Sequence, residues 1–442
     1  MRLKNNMKYY LAIDLGASSG RHIVGYFNNG QLVLDEIYRF KDYLNEQDGH
    51  LIWDIEKIFL EVKIGIKLAL AKYPNITSMS IDTWGCDYVL LNKDEELPPC
   101  YAYRDSRTSD DIDNVHQLIS FNKLYEISGS QFQPFNTLYQ LYDDKVNGRL
   151  NQATDFLMIP EYLAYKLTGN KVKEYTNAST TGMMDLKTLN FSNEIINKLG
   201  FKKELFKELH KSGYEIGHFQ ESIKHELGGD IKVVLCSSHD TASAVKGIEI
   251  PNNVPYLSSG TWSLLGIKVS NPINTQKALE SNYSNEFGDD YIRFQKNIMG
   301  MWIVNNLARD LMYTHQNMMK LAKRSEYEEI FDVNDKRFLA TLNIRDDIDN
   351  WLKEHNRPRP THQADYINCI YHSLAYSYKV AIDELEEITG QQYDCLYIVG
   401  GGANNTYLNE LTELYTKKKI IALPVEATAI GNLKSQMEVD EK

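Results

Sequence analysis

The feature that most constrains this chain is a repeated one: Asp14-Leu15-Gly16-Ala17-Ser18-Ser19-Gly20-Arg21 near the start, and Ser258-Ser259-Gly260-Thr261-Trp262-Ser263 past the middle. Each sets a Gly/Ser/Thr turn between two apolar runs, 9–13 and 22–27 in the first case, 254–257 and 262–267 in the second. That order predicts a strand, a tight turn and a returning strand. Glycines let the backbone approach a phosphate closely, and the hydroxyls and free N–H groups of such a turn form a concavity for anions. A nucleotide held between two such hairpins implies an ATP-dependent enzyme.

The chain is long enough to bury a large core. With 442 residues and 43% hydrophobic content it exceeds the size at which a single core usually divides, so two domains are expected. The predicted seam follows a helix at 240–245, giving domains 1–246 and 247–442. A net charge of -12 offers no basic face to nucleic acid or to an anionic membrane, and small molecules are the expected partners. No run approaches the roughly eighteen apolar residues of a membrane span. Residues 1–8 are basic, but Asp14 interrupts the apolar run behind them, so no signal-peptide core is expected, and Met7 is an alternative start. The cysteines, Cys86, Cys100, Cys236, Cys369 and Cys395, are odd in number and lack C-x-x-C spacing. They predict free thiols in a reducing cytoplasm, with neither a disulfide frame nor a zinc site.

Strand and helix patterns interleave throughout, an α/β arrangement. Residues 9–14, 22–27 and 31–39 predict an antiparallel meander, followed by a helix over 54–73 with Ile55, Ile58, Phe59, Val62 and Ile66 at helical spacing. Buried strands are predicted at 77–82 and 88–91. From 110 to 211 the pattern is mostly helical and polar, and most of it is expected to be an accessory region without chemistry. A strand at 231–235 runs through Cys236-Ser237-Ser238-His239-Asp240-Thr241 into an Ala-rich helix. A long amphipathic helix at 364–389, a strand at 393–399 and a triple-glycine turn opening a helix at 404–415 follow. Residues 347–350 and 357–360 are expected to be loops.

Asp14 ends a buried strand just before a glycine turn. Its carboxylate can face the phosphates, where a hard divalent cation needs oxygen ligands, or it can simply bond the turn. Asp240 stands where a strand meets a helix. It can take the proton of an attacking hydroxyl beside a helix N-terminus that favours a negatively charged phosphoryl group, or it can cap the helix. Gly400-Gly401-Gly402 lacks the Lys-Ser/Thr ending of a P-loop and the spacing of a dinucleotide fingerprint; it reads as a flat surface for adenine or ribose, or as a tight turn. Trp84 and Trp262 can wall a pocket or anchor a core, and His239 can serve either a site or the structure. For Asp240, the consistent order of strand-end Asp, two glycine hairpins and triple glycine favours the chemical reading over the cap.

That order, closed by the small-residue stretch Glu426-Ala427-Thr428-Ala429-Ile430-Gly431-Asn432, resembles the actin-like ATPase superfold, and within it the chain is similar to the FGGY carbohydrate kinases. Finer motifs carry the similarity: Ile81-Asp82-Thr83-Trp84-Gly85-Cys86-Asp87, Tyr103-Arg104-Asp105-Ser106-Arg107-Thr108, His239-Asp240-Thr241-Ala242-Ser243-Ala244-Val245 and Ser259-Gly260-Thr261-Trp262-Ser263. They resemble the branch that phosphorylates L-rhamnulose, and the resemblance runs over residues 10–432. It implies an α/β fold of two actin-like (ribonuclease H-like) domains flanking a central ATP/sugar cleft. It further implies transfer from ATP, with Mg2+, to the carbon-1 hydroxyl of L-rhamnulose, giving L-rhamnulose 1-phosphate and ADP. L-fuculose or xylulose are the alternative substrates, and a non-sugar actin-like ATPase module is the alternative class. Carried over residue by residue, Asp240 is the catalytic base, and Gly85, His239, Asp240, Thr241 and Asn297 hold the sugar. Ala17, Ser18, Ser19, Gly20 and Arg21, with Thr261, Asn305 and Gly402, hold ATP, while Asp14 orients magnesium through water. Asn305 stands where the family carries Gln, and Cys86 where it carries an aliphatic residue. The family continues through further helical structure after the position of Asn432, where ten residues remain, so a truncated or divergent short second domain is expected.

Overall fold

Residues 9–41 form the antiparallel strands β1 (Tyr9–Leu15), β2 (Ser19–Asn28) and β3 (Gln31–Lys41), with β1 buried along nearly its whole length. The computed structural model describes residues 7–339, 341, 343–423 and 426–441, so most of the basic segment 1–8 lies outside the described residues. Helix α1 (Ile55–Lys72) begins where the Asp54 side chain accepts the Lys57 N–H, and it ends just before Pro74. Strand β4 (Ile76–Thr83) then lies parallel to β1, and β5 (Glu215–His218) and β6 (Lys232–Val234) extend the sheet to the order β5-β6-β4-β1-β2-β3. Leu11 and Ile13 share one core with Ile58, Val62 and Ile66 of α1. Tyr10 and Ala12, with the opposite parity, belong to another on the far face.

After helix α2 (Asp240–Gly247) the pattern repeats. Strands β7 (Tyr256–Ser259), β8 (Trp262–Val269), β9 (Ser284–Phe287) and β10 (Ile292–Met299) precede helices α3 (Met301–Leu311) and α4 (Gln363–Thr389). Strand β11 (Cys395–Val399), helix α5 (Thr406–Thr416), strand β12 (Lys419–Ala422) and helix α6 (Ala427–Asp440) follow. The second sheet runs β9-β10-β8-β7-β11-β12. Strands β7, β8 and β10 are antiparallel as β1, β2 and β3 are, and β11 lies parallel to β7 as β4 does to β1. The two glycine turns therefore occupy the same place in a doubled α/β topology, the actin-like, ribonuclease H-like arrangement.

Helix α6 returns to the first sheet, where Ala429, Leu433 and Met437 cover Tyr10, Ala12 and Ile23. On the way it crosses α2 at a point only glycines allow. A Cβ on Gly431 would stand 1.8 Å from the Ser243 carbonyl oxygen, and one on Gly247 would stand 2.0 Å from that of Ala427. The small residues of the 426–432 stretch are what this close crossing requires.

Two regions differ from the sequence expectation. Residues 347–350 lie inside a helix, Ile344–Glu354, because Ile344, Ile348, Trp351 and Leu352 bury one face while the Asn343 side chain accepts the Asp346 N–H. The 110–211 region is also less separate than its polar helices suggest. Val115, Leu124 and Tyr139 belong to one core with Leu265, Phe294 and Ile298 of the second sheet, and the Tyr125 hydroxyl donates to the Tyr283 carbonyl at 2.8 Å. All five cysteines are free. Among the described residues, no helix is long and apolar enough to cross a membrane.

Candidate active site

The two glycine turns face a common cavity of about 450 Å³. The first hairpin contributes Asp14, Ala17, Ser19 and Arg21, and the second Gly260, Thr261 and Trp262. Gly85 comes from the loop after β4, Asn297 from β10, and Gly400 and Gly401 from the turn after β11. His239, Asp240 and Thr241 come from the strand-to-helix junction, which the Thr83 N–H pins to β4 by donating to the Ser238 carbonyl at 2.9 Å.

His239 is the N-cap residue of α2, so Asp240 is not a cap; it opens the helix. Its side chain is 32% exposed and accepts the Thr241 hydroxyl at 3.1 Å. Burial raises its pKa above the ordinary carboxylate value; His239 opposes that shift and Asp14 adds to it. His239 lies between two acids, with Nε2 3.5 Å from Asp240 and Nδ1 3.3 Å from Glu286. Burial would raise Glu286, but fully buried Arg293 at 3.2 Å, together with His239, holds it down to about 2. At the other hairpin, Asp14 accepts two bonds from Arg21, at 3.0 and 2.8 Å, while a third Arg21 nitrogen lies 2.5 Å from Glu426. Arg21 thus reaches the cavity with its charge already matched by two carboxylates. Asp82, opposite Asp14 on β4, is fully buried and accepts Asn432 Nδ2 at 2.6 Å; burial, then Asp14, raise its pKa. Asp14 and Asp240 therefore line the cavity while Asp82 stands buried behind its wall, near enough to both for each to raise its pKa. Among the described residues, no three His, Cys, Asp or Glu side chains are placed to grip a metal ion directly.

Residues 9–247 match the FGGY family of carbohydrate kinases, N-terminal domain, and residues 256–437 match its C-terminal domain. The chain belongs to the FGGY family of carbohydrate kinases. It is 42% identical over 433 residues to the rhamnulokinase of Oceanobacillus iheyensis, covering 97% of this chain and 92% of that one. It is 40% identical over 436 residues to the rhamnulokinase of Halalkalibacterium halodurans, covering 97% and 93%. Among solved structures, the gluconate kinase of Lactobacillus acidophilus superposes with a TM-score of 0.81 at 18% identity, covering 99% of this chain and 90% of that one.

In this kinase four of the residues singled out in the sequence stand off the cavity wall. Ser18 is exposed at the hairpin tip, and Gly20 is turned toward Phe40 and Leu15. Asn305 sits half-buried on α3, and Gly402 backs onto the Ser259 hydroxyl, leaving Gly400 and Gly401 to face the space. Other lining residues had no sequence signal. Ser130, Gln131, Asn136, Ser179 and Thr180 come from the region expected to be accessory, and Glu286 from β9. Trp84 and Trp262 both line the cavity. Cys86 follows Gly85 with φ +72, a left-handed conformation held by its N–H bond to Thr180 Oγ1 at 2.9 Å. Arg104 spans the two halves of the kinase: its guanidinium lies 3.9 Å from the Trp302 ring centroid and donates to the Leu339 carbonyl at 2.9 Å.

Proposed function

We propose that this kinase transfers the γ-phosphoryl group of ATP to the carbon-1 hydroxyl of L-rhamnulose, giving L-rhamnulose 1-phosphate and ADP. The observation that carries this reading is Asp240, partly exposed in a cleft between two phosphate hairpins, in a chain similar over nearly its whole length to rhamnulokinases. Asp240 takes the proton of the carbon-1 hydroxyl as that oxygen bonds to the γ-phosphorus, and the bond to the β,γ-bridging oxygen breaks to release ADP. A raised carboxyl pKa suits a base, since it makes the carboxylate a better proton acceptor. The Thr241 hydroxyl fixes one carboxylate oxygen, and the N-terminus of α2 favours negative charge beside it. Backbone N–H groups and hydroxyls of Ala17, Ser19 and Thr261 hold the phosphates, and Gly400 and Gly401 bear the nucleoside. His239, Thr241, Gly85 and Asn297 face the sugar.

The donor set fits magnesium held through water. Carboxyls converge but do not form a direct ligand set, and Asp14 keeps one oxygen outside its Arg21 contacts. Magnesium, when bound, neutralises charge on the transferring phosphoryl oxygens. Closure of the two halves over the bound substrates excludes water that would otherwise consume ATP. The test is ADP release with a panel of ketoses, in the parent and in Asp240→Asn. L-rhamnulose alone should stimulate turnover, and the variant should lose about 10² to 10⁴-fold in kcat while still binding ATP. Stimulation by L-fuculose or xylulose instead would reject the substrate, and a folded Asp240→Asn protein with parental kcat would reject the base.

A further inference from the structure

We infer that Gln131, with Ser130 and Asn136 beside it, reads the ketose hydroxyls other than the one on carbon 1; the inference rests on the sugar-kinase reading above. These residues lie in the connection between the helices Phe121–Ser128 and Thr137–Val146, and all three line the main cavity. The connection is clamped along its length. The Gly129 carbonyl accepts both the Asn285 backbone N–H at 2.8 Å and its side-chain amide at 3.2 Å. Phe132 exchanges two bonds with the Asn282 side chain, at 2.8 and 3.2 Å, and the Thr137 hydroxyl donates to the Cys86 carbonyl at 2.7 Å. A segment held this way presents its side chains without further ordering.

The free atoms then follow from the bonds already made. Gln131, 4% exposed, accepts the Asn297 backbone N–H on Oε1 at 3.0 Å. Only an oxygen can face an N–H, so the amide orientation is fixed and Nε2 is left as a donor, buried and without a partner. Asn136 donates its Nδ2 to the Gln131 carbonyl at 3.4 Å, which leaves Oδ1 as an acceptor without a partner. The Ser130 hydroxyl, able to donate and accept, is also buried and unpartnered. Buried polar atoms without partners are rare and costly. A donor, an acceptor and a hydroxyl together form the complement of a polyol. Because Asn297 sits on the opposite half of the chain, the same contact places this wall beside a residue of the proposed sugar pocket.

The competing occupant is a single water in a void of about 10 Å³ that these three residues also border. Two variants decide between them in the full-length kinase. Gln131→Glu keeps an acceptor for the Asn297 N–H and removes the free donor; Ser130→Ala removes a hydroxyl and adds no bulk. The expected result is an L-rhamnulose KM raised about ten-fold or more in Gln131→Glu and about three-fold or more in Ser130→Ala, with the ATP KM within about two-fold in both. Thermal stabilisation by L-rhamnulose should shrink in parallel, and stabilisation by ADP should not. A sugar KM within two-fold of the parent's in both variants assigns the free atoms to the void and overturns the inference; should Gln131→Glu fail to fold, Ser130→Ala decides alone. If the parent acts on a different ketose, the proposed substrate falls, and the same ratios measured with that ketose decide this wall. A parent that phosphorylates no ketose rejects both.

Discussion

Replacing Gly431 by alanine tests whether the α2–α6 crossing positions the Asp240 carboxylate. The added Cβ would stand 1.8 Å from the Ser243 carbonyl oxygen and 2.9 Å from the Gly247 nitrogen, both backbone atoms that no rotamer change can move aside. Ordinary contact begins at 3.4 Å, so the helices must part by about 1.6 Å in an interior with no slack. Ser243 lies within the first turn of α2, which opens with Asp240, so the displacement reaches the carboxylate almost undamped. Overpacking of this kind costs about 1–3 kcal/mol, and a misplacement of about 1 Å at a reacting group costs about 10²-fold in rate. The expected variant is folded, melts several degrees lower and shows a kcat reduced about 100-fold at saturating sugar and ATP. Helix propensity alone predicts the opposite sign, because alanine in place of an interior glycine stabilises by about 1 kcal/mol. A Gly431→Ala protein at least as stable as the parent, with undiminished ADP release, would refute the reasoning.

The remaining expectations concern the acids of the cleft. Asp240 must be ionised to accept a proton, and burial raises its pKa, so kcat/KM should fall as pH drops through a value above the ordinary Asp pKa of about 3.9; a rate that stays level down to pH 4 rules this out. Glu286→Gln leaves fully buried Arg293 without its carboxylate and should cost about 3–5 kcal/mol, seen as a lowered melting temperature. Because Glu286 is held at about 2 against 4.5 unperturbed, its stabilisation is complete above pH 4.5 and lost as pH falls toward 2, so parent and variant should converge across that window. Constant separation of the two melting curves through the window would show that the charge on Glu286 is not what stabilises.

The repeated hairpins were legible because each turn is written in consecutive residues, a Gly/Ser/Thr run between apolar stretches, and the local signal agrees with the sheet it joins. Helix α1 was legible for the same reason, with Asp54 as cap and a regular buried stripe. The Ile344–Glu354 helix was not, since Asp346, Asp347, Asp349 and Asn350 mask a stripe of only four buried residues. Asp240, His239 and Thr241 were found through a motif. Ser130, Gln131 and Asn136 carry no motif; they become part of the cleft only because Asn282 and Asn285, about 150 residues later in the chain, clamp their connection. Asp82 shows both sides of this. Its place in a motif was visible, but its register opposite Asp14 is a property of the parallel pairing.

Helix α6 gives the polypeptide an order of completion. The surface formed by Tyr10, Ala12 and Ile23 is among the earliest made, yet its cover, Ala429, Leu433 and Met437, is among the last. During synthesis the first sheet must wait with one apolar face open while about four hundred residues are added, and Asn432 of α6, whose amide donates to Asp82, arrives only then. A half-made chain can therefore shape the first hairpin, but Asp82 gains its Asn432 partner only when α6 docks.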